Sequence, residues 1–101
     1  MIFENLLYED LKDIVPIYID AFNREPWNDK WTIETASKRL KDMINTPGYY
    51  GLKVYENERI IGAIIGHREQ YYDGIVNTLY NSFATPGISE ALLWSSVFVT
   101  L

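Results

Sequence analysis

The segment GLKVYENERIIGAIIGHREQ, residues 51–70, contains the clearest structural pattern in the chain. A β-compatible run at 49–55, a polar turn at 56–58 and a second run at 60–70 predict an antiparallel hairpin. Apolar side chains alternate onto both faces of the second run. A strand with two apolar faces is covered on both sides, so this strand is expected in the interior of its sheet.

Two helices are predicted before the hairpin. Apolar residues recur at helical spacing over 10–22, at Leu11, Ile14, Val15, Tyr18 and Phe22. Pro16 lies inside this stripe, which favours a helix that begins only near Asp13. After the turn-rich segment 23–31, Thr32 is predicted to cap a second helix that ends at Pro47-Gly48. Its expected apolar stripe consists of Ile33, Ala36, Leu40, Met43 and Ile44.

Strands are predicted at both ends of this arrangement. Residues 2–7 are short and β-compatible, and a strand over 75–83 follows the turn signal Asp73-Gly74. Pro86-Gly87 ends that strand, and 88–97 form a last helix or strand. The element order β, α, α, β, β, β is typical of an α+β fold, an antiparallel sheet with two amino-terminal helices packed on it.

Composition excludes several functional classes. The chain has 101 residues, 48% of them apolar, which is enough for one small packed domain. It has no cysteine and one histidine, which argues against a metal site. The net charge of −5 argues against nucleic acid as a partner. No apolar run is long enough to cross a membrane and no secretory leader is recognisable, so a cytoplasmic protein is expected.

Charge is distributed unevenly along the chain. Residues 74–101 contain one charged residue, Glu90, of the 23 in the chain. A central strand followed by a buried helix would explain such a tail. The alternative is that the tail is foreign to residues 1–73, for example because of a frameshift near Gly74.

Several segments together carry a family resemblance over residues 1–79. These are Ala21-Phe22-Asn23, Glu25-Pro26-Trp27-Asn28-Asp29, Trp31-Thr32 and Arg59-Ile60-Ile61-Gly62-Ala63. With the element order, they resemble the amino-terminal half of the GNAT superfamily of N-acetyltransferases. The resemblance implies a single truncated domain over 1–101 with the GNAT-like acyl-CoA N-acyltransferase fold.

The resemblance implies transfer of an acetyl group from acetyl-CoA to a small-molecule amine. The cofactor would lie along the last strand, on the backbone of Tyr80, Asn81, Ser82 and Phe83. The expected acceptor site consists of Glu25, Trp27, Asn28, Asp29, Trp31 and Tyr72. Glu69 is the candidate base. Two alternatives stay open: the tryptophans hold the loop on the sheet while its carboxylates face solvent, and His67 is a hydrogen-bonded histidine at a strand end.

The sequence departs from the family at the cofactor motif. The Arg/Gln-x-x-Gly-x-Gly/Ala signature that binds the CoA pyrophosphate at a helix start is absent after Gly74. Losing several charge-assisted hydrogen bonds is expected to weaken cofactor binding by orders of magnitude. A second hypothesis is therefore a non-catalytic fragment that acts as a homodimeric structural or interaction module through an open sheet edge.

Overall fold

Within residues 2–87, four antiparallel strands form one sheet in which each strand pairs with the next one along the chain. The computed structural model describes residues 2–87, except for the side chains of residues 76–80. The strands and helices are β1 (Ile2–Asn5), α1 (Leu11–Asn23), α2 (Ile33–Ile44), β2 (Tyr49–Glu56), β3 (Arg59–Tyr71) and β4 (Gly74–Ala84). The predicted α+β fold, with two helices on an antiparallel sheet, is confirmed.

The β2–β3 hairpin forms as predicted. Its turn residues Asn57 and Glu58 have φ angles of 53° and 65°, the left-handed conformation that a two-residue turn of this hand requires. β3 lies between β2 and β4, and its residues 61–66 are all buried. The two apolar faces of β3 therefore match its interior position.

Helix α1 differs from the prediction at its start. It begins at Leu11 rather than near Asp13, it follows a 3₁₀ turn at Tyr8–Asp10, and Pro16 lies within it. A proline inside a helix removes the backbone bond that its own N–H would donate, and its ring crowds the carbonyl four residues earlier. Packing of the buried Ile14 and Val15 compensates for that bond.

Helix α2 begins where the capping signal predicts. The Thr32 hydroxyl accepts a hydrogen bond from the Thr35 backbone N–H at 3.1 Å, which satisfies one of the unpaired donors of the first turn. The predicted apolar stripe is wrong at Ile33, whose side chain is 74% exposed. Ile33 is the first residue of the helix, and side chains of a first turn point back past the helix end, away from the core.

Apolar side chains pack on both faces of the sheet. The face that carries the helices buries residues of α1, α2, β3 and β4, among them Ile14, Tyr18, Leu40, Ile65 and Phe83. The opposite face buries Leu52, Val54, Ile61, Ile64 and Ala84. β3 contributes to both clusters, so the strand joins the two halves of the core.

Gly48 connects α2 to the sheet in a conformation that favours glycine. Its φ is +79°, and a Cβ at this position would lie 2.2 Å from the Arg68 carbonyl oxygen. The close approach permits the Arg68 N–H to donate to the Gly48 carbonyl at 2.8 Å. The end of α2 is thereby fixed against β3.

Strand β4 completes the described sheet. It pairs with β3 from Gly74 to Ala84 and buries Phe83 in the core, so the predicted strand over 75–83 is confirmed. The proposed boundary at Gly74 falls at the turn between β3 and β4 and stays a prediction. The predicted last element, with Glu90, lies outside the described residues.

Neither described helix is long and apolar enough to cross a membrane.

Candidate functional site

A β-bulge interrupts β4 near its middle. Ile65 pairs with Asn81, whereas the next residue, Gly66, pairs with Leu79, so Tyr80 has no partner residue on β3. An extra residue of this kind locally disrupts the ladder and redirects the backbone, and such bulges are frequent beside active sites. The predicted cofactor strand therefore has an irregular point directly before Asn81.

Aromatic rings join the loop after α1 to β4 beyond the bulge. The Tyr18 ring lies 4.8 Å from Phe22, 5.1 Å from Trp31 and 5.2 Å from Phe83, measured between centroids. Trp27 lies 6.1 Å from Phe22. We call these five residues the aromatic cluster. It combines two predicted acceptor-site residues, Trp27 and Trp31, with the predicted cofactor-strand residue Phe83.

The loop between α1 and α2 is held by its own hydrogen bonds. The Asn23 side chain accepts from the Trp31 N–H at 2.8 Å and donates to the Trp31 carbonyl at 2.9 Å. Asp29 Oδ2 accepts from the Trp31 indole N–H at 3.0 Å. Trp27 is 57% exposed, whereas Trp31 is half-buried. The loop thus combines a fixed tryptophan, Trp31, with an accessible one, Trp27.

The acidic residues of this loop are exposed, although Asp29 also accepts from the Trp31 indole N–H. Glu25, Asn28 and Asp29 are exposed, and Asn28 has a φ of 52°. An exposed carboxylate beside an accessible indole face is suited to a cationic group, because both attract positive charge. Trp31 packs against Tyr18, in agreement with the interpretation that the tryptophans hold the loop on the sheet, whereas Trp27 is the more exposed of the two.

Arg24 attaches the start of the loop to the end of β4. One guanidinium nitrogen donates to Asp20 at 2.8 Å and the other donates to the Ala84 carbonyl at 3.1 Å. The sequence does not predict a role for Arg24, because a single arginine in a turn-rich segment carries no pattern. Its hydrogen bond to Ala84 is a second contact between the predicted acceptor loop and the predicted cofactor strand.

The apolar stripe of α1 predicts Tyr18 as a core residue, yet its hydroxyl lies in a polar environment. Burial raises the pKa of Tyr18, and the nearby Asp29 carboxylate raises it further, while Arg39 and Asn81 act in the opposite direction. Asn81 also contacts Met43 of α2, with 3.9 Å between its amide nitrogen and the sulfur. Tyr18 therefore lies where α1, α2 and β4 meet, beside the bulge.

Glu69 lies on the other side of the bulge and is paired with His67. Glu69 Oε1 lies 2.5 Å from His67 Nε2. The side chains are 45% and 20% exposed, respectively. His67 pairs with Thr78 and Glu69 with Val76 on β4. The hydrogen-bonded histidine that the sequence suggests is thus present, and its partner is the candidate base.

Tyr72 lies apart from the other predicted acceptor-site residues and from the Asn81–Phe83 segment. It is 99% exposed at the turn between β3 and β4. Gly74, just after that turn, precedes Phe83 by nine strand residues, a span of roughly 30 Å. The structure brings Trp27, Asp29 and Trp31 together with the Asn81–Phe83 segment, but it does not bring Tyr72 to them.

The free edge of β4 fits the backbone recognition expected of a cofactor strand. β4 pairs with β3 on one side, and within residues 2–87 no strand pairs with its other side. Unpaired N–H and C=O groups of an edge can bind an extended amide-containing chain. The predicted cofactor residues Tyr80, Asn81, Ser82 and Phe83 form this edge at and after the bulge, and alternate residues along it direct their backbone groups away from β3.

Comparison of the sequence with protein-family models gives no match, and comparison with curated proteins gives no significant match. Solved structures do match. A possible acetyltransferase from Clostridium difficile aligns over 98% of this chain and 66% of its own length, with 10% identity and a TM-score of 0.74. A GNAT family acetyltransferase from Staphylococcus aureus aligns over 97% and 76%, with 15% identity and a TM-score of 0.71.

An aminoglycoside 6'-N-acetyltransferase from Acinetobacter haemolyticus aligns over 99% of this chain and 68% of its own length, with 13% identity and a TM-score of 0.69. The chain thus spans about two thirds of the length of the first of these structures. At such identities the likeness concerns the fold. The chain has a GNAT-like fold, the fold of acetyltransferases.

Proposed function

We propose that the chain is an acetyl-CoA-dependent N-acetyltransferase and that its acceptor is a small cationic amine. The observation that supports this best is the position of the bulge at Tyr80. On one side lie the aromatic cluster and the acidic loop, and on the other lies the His67–Glu69 pair. The structural neighbours described as acetyltransferases support the reaction class.

Each side of the bulge has a distinct proposed role. Trp27 and Asp29 attract the ammonium form of the acceptor. The backbone of Asn81, Ser82 and Phe83 binds the pantetheine arm of the cofactor, which supplies a thioester acyl group when bound. Glu69 accepts the proton that the amine loses. An aminoglycoside or another small polyamine is the acceptor class that suits an acidic, aromatic loop.

An acetylation assay with a panel of amines tests the proposal. Released CoA thiol is measured at saturating acetyl-CoA for wild type, Trp27→Ala and Asp29→Asn. We expect KM for a cationic acceptor to rise about 3- to 10-fold in each variant, the loss of one or two favourable contacts with the cation. The matched controls are Tyr8→Ala, an exposed aromatic of similar accessibility at 56%, and Glu34→Gln in the first turn of α2.

The outcomes separate the parts of the proposal. Wild-type protein that acetylates no amine contradicts the reaction class. Turnover that is equally affected by the control variants contradicts the acceptor site at the loop.

A second candidate function is a homodimeric interaction module, and the extended β3–β4 hairpin favours it. β2 pairs with β3 only as far as His67, so residues 68–77 form a two-stranded ribbon beyond the sheet. Tyr71, Tyr72 and Ile75 are 48%, 99% and 67% exposed on this ribbon. A two-stranded ribbon alone has marginal stability, which pairing with a second copy would increase.

Size-exclusion chromatography coupled to light scattering tests this second candidate function. We expect a dimer that becomes monomeric in the Tyr72→Ser/Ile75→Ser variant. A monomer at all concentrations contradicts it.

A further inference from the structure

The His67–Glu69 pair places a carboxylate beside the bulge. Glu69 belongs to β3 opposite Val76, four β4 residues before Tyr80, a span of roughly 13 Å. His67 lies closer, opposite Thr78. Glu69 Oε1 lies 2.5 Å from His67 Nε2. The Glu69 side chain therefore extends along β3 toward His67, which is the direction of the bulge.

The two side chains share one face of β3. Residues two apart on a strand point to the same side, and Ala63 and Ile65 on that side pack against the helices. Tyr49 is the register partner of His67 on β2, and its hydroxyl donates to the Leu6 carbonyl at 2.8 Å. The imidazole thus lies beside a fixed tyrosine, while Glu69 is the more exposed member of the pair.

We infer that His67 is a positioning residue for Glu69: its Nε2–H holds one carboxylate oxygen so that the other faces the reacting amine. This inference rests on the proposed acetyltransferase function. As the amine nitrogen forms its bond to the thioester carbonyl carbon, the C–S bond breaks and sulfur leaves with that electron pair. The proton from nitrogen passes to the Glu69 carboxylate.

A fixed carboxylate is more effective than a mobile one, because orientation is settled before the reaction rather than during it. His67 is suited to this role because its partner interaction leaves one carboxylate oxygen of Glu69 for a second hydrogen bond. In this role His67 makes no contact with the substrate. Its effect is on the step that moves the proton.

The first experiment tests the pairing without any catalysis. The chain has a single histidine, so a nitrogen-15 spectrum contains one set of imidazole signals. We expect Glu69→Gln to shift the imidazole nitrogen and N–H proton signals. Glu4→Gln, an exposed glutamate on β1, is the control and should leave them unchanged. Identical imidazole signals in Glu69→Gln and wild type overturn the pairing.

The second experiment tests the role of the pair with steady-state kinetics. Removal of a general base costs a factor of about 10² to 10⁴ in rate, which is the loss expected for Glu69→Gln. His67→Leu should lower kcat by at least about tenfold with KM for the amine unchanged, because only the orientation of the base is lost. His67→Gln, which retains an N–H donor of similar reach, should restore most of that loss.

The kinetic outcomes are distinct from those of the proposed function. A wild-type chain without turnover contradicts the acetyltransferase proposal, while the spectrum still decides the pairing. With an active wild type, equal kcat values in His67→Leu and wild type overturn the positioning role. Equal losses in His67→Leu and His67→Gln overturn it too, since a lost donor could not then be the cause.

Discussion

Lys53 and Asp10 form a buried ion pair that fixes the start of α1 on the sheet. Lys53 Nζ lies 2.8 Å from Asp10 Oδ1, and Asp10 Oδ2 accepts from the Leu7 N–H at 2.8 Å. The two side chains are 11% and 10% exposed. Because both carboxylate oxygens are engaged, neither charge is left without a partner.

Removing one charge of this pair should lower the free energy of unfolding more than removing both charges. Lys53→Met leaves a buried carboxylate, so we expect a loss of about 3 kcal/mol in the free energy of unfolding. Asp10→Asn should cost a similar amount, while the double variant should cost clearly less than the sum. Urea unfolding of the four proteins measures this cycle. Additive losses would contradict the pair as a coupled unit.

Tyr18 makes the free energy of unfolding depend on pH in the alkaline range. Burial is the main cause that raises its pKa, so the folded value lies above the unfolded value of about 10. The contribution of the protonated Tyr18 to the free energy of unfolding is therefore complete below about pH 10. It is lost as the pH rises through the pKa of Tyr18 in the folded protein. We expect the urea midpoint of wild type to fall more steeply above that pH than the midpoint of Tyr18→Phe. Equal slopes would contradict this, and Tyr8→Phe, at an exposed tyrosine, serves as control.

Contacts between the side chains of the candidate site are the property that the sequence predicts least. Tyr18 has the spacing of an ordinary core residue, and only the packed structure places its ring between Trp31 and Phe83. His67 and Glu69 are two apart on a strand, a spacing compatible with contact that does not require it. Such pairs depend on side-chain rotamers, which a one-dimensional pattern does not contain.

Secondary structure, by contrast, followed largely from local patterns. The two apolar faces of β3 predicted its interior position, and Thr32 marked the start of α2. The two errors have local causes. Pro16 is tolerated within α1 because packing replaces the backbone bond that it removes, and Ile33 is exposed because it is the first residue of α2.

The β2–β3 turn permits a sharp test of local strain. Glu58 has a φ of 65°, a left-handed conformation that costs a residue with a Cβ roughly 1 kcal/mol or more. Glu58→Gly should therefore stabilise the protein by about 1 kcal/mol. Glu56→Gly, at the end of β2, should destabilise it instead. A lower urea midpoint for Glu58→Gly than for wild type would contradict the turn conformation.

The sheet and helices together set the position of the candidate site. α1 and its loop reach β4 through Tyr18 and Arg24, while β3 presents His67 and Glu69 on the other side of the bulge. The resemblance in sequence predicted the loop and the strand as separate parts. Their meeting at Phe83 and Ala84, just beyond the bulge, depends on the β3–β4 register, which could not be inferred from composition or periodicity.

The central proposal is that acetyl-CoA binds along the edge of β4 that faces away from β3. A titration of nitrogen-15-labelled protein with acetyl-CoA, followed amide by amide, tests this most directly, because it detects weak binding and locates it. We predict saturable shifts at the amides of Asn81, Ser82 and Phe83, with no shifts at β1 on the opposite edge of the sheet. Unchanged β4 amides at millimolar acetyl-CoA, or shifts confined to β1, would contradict the claim.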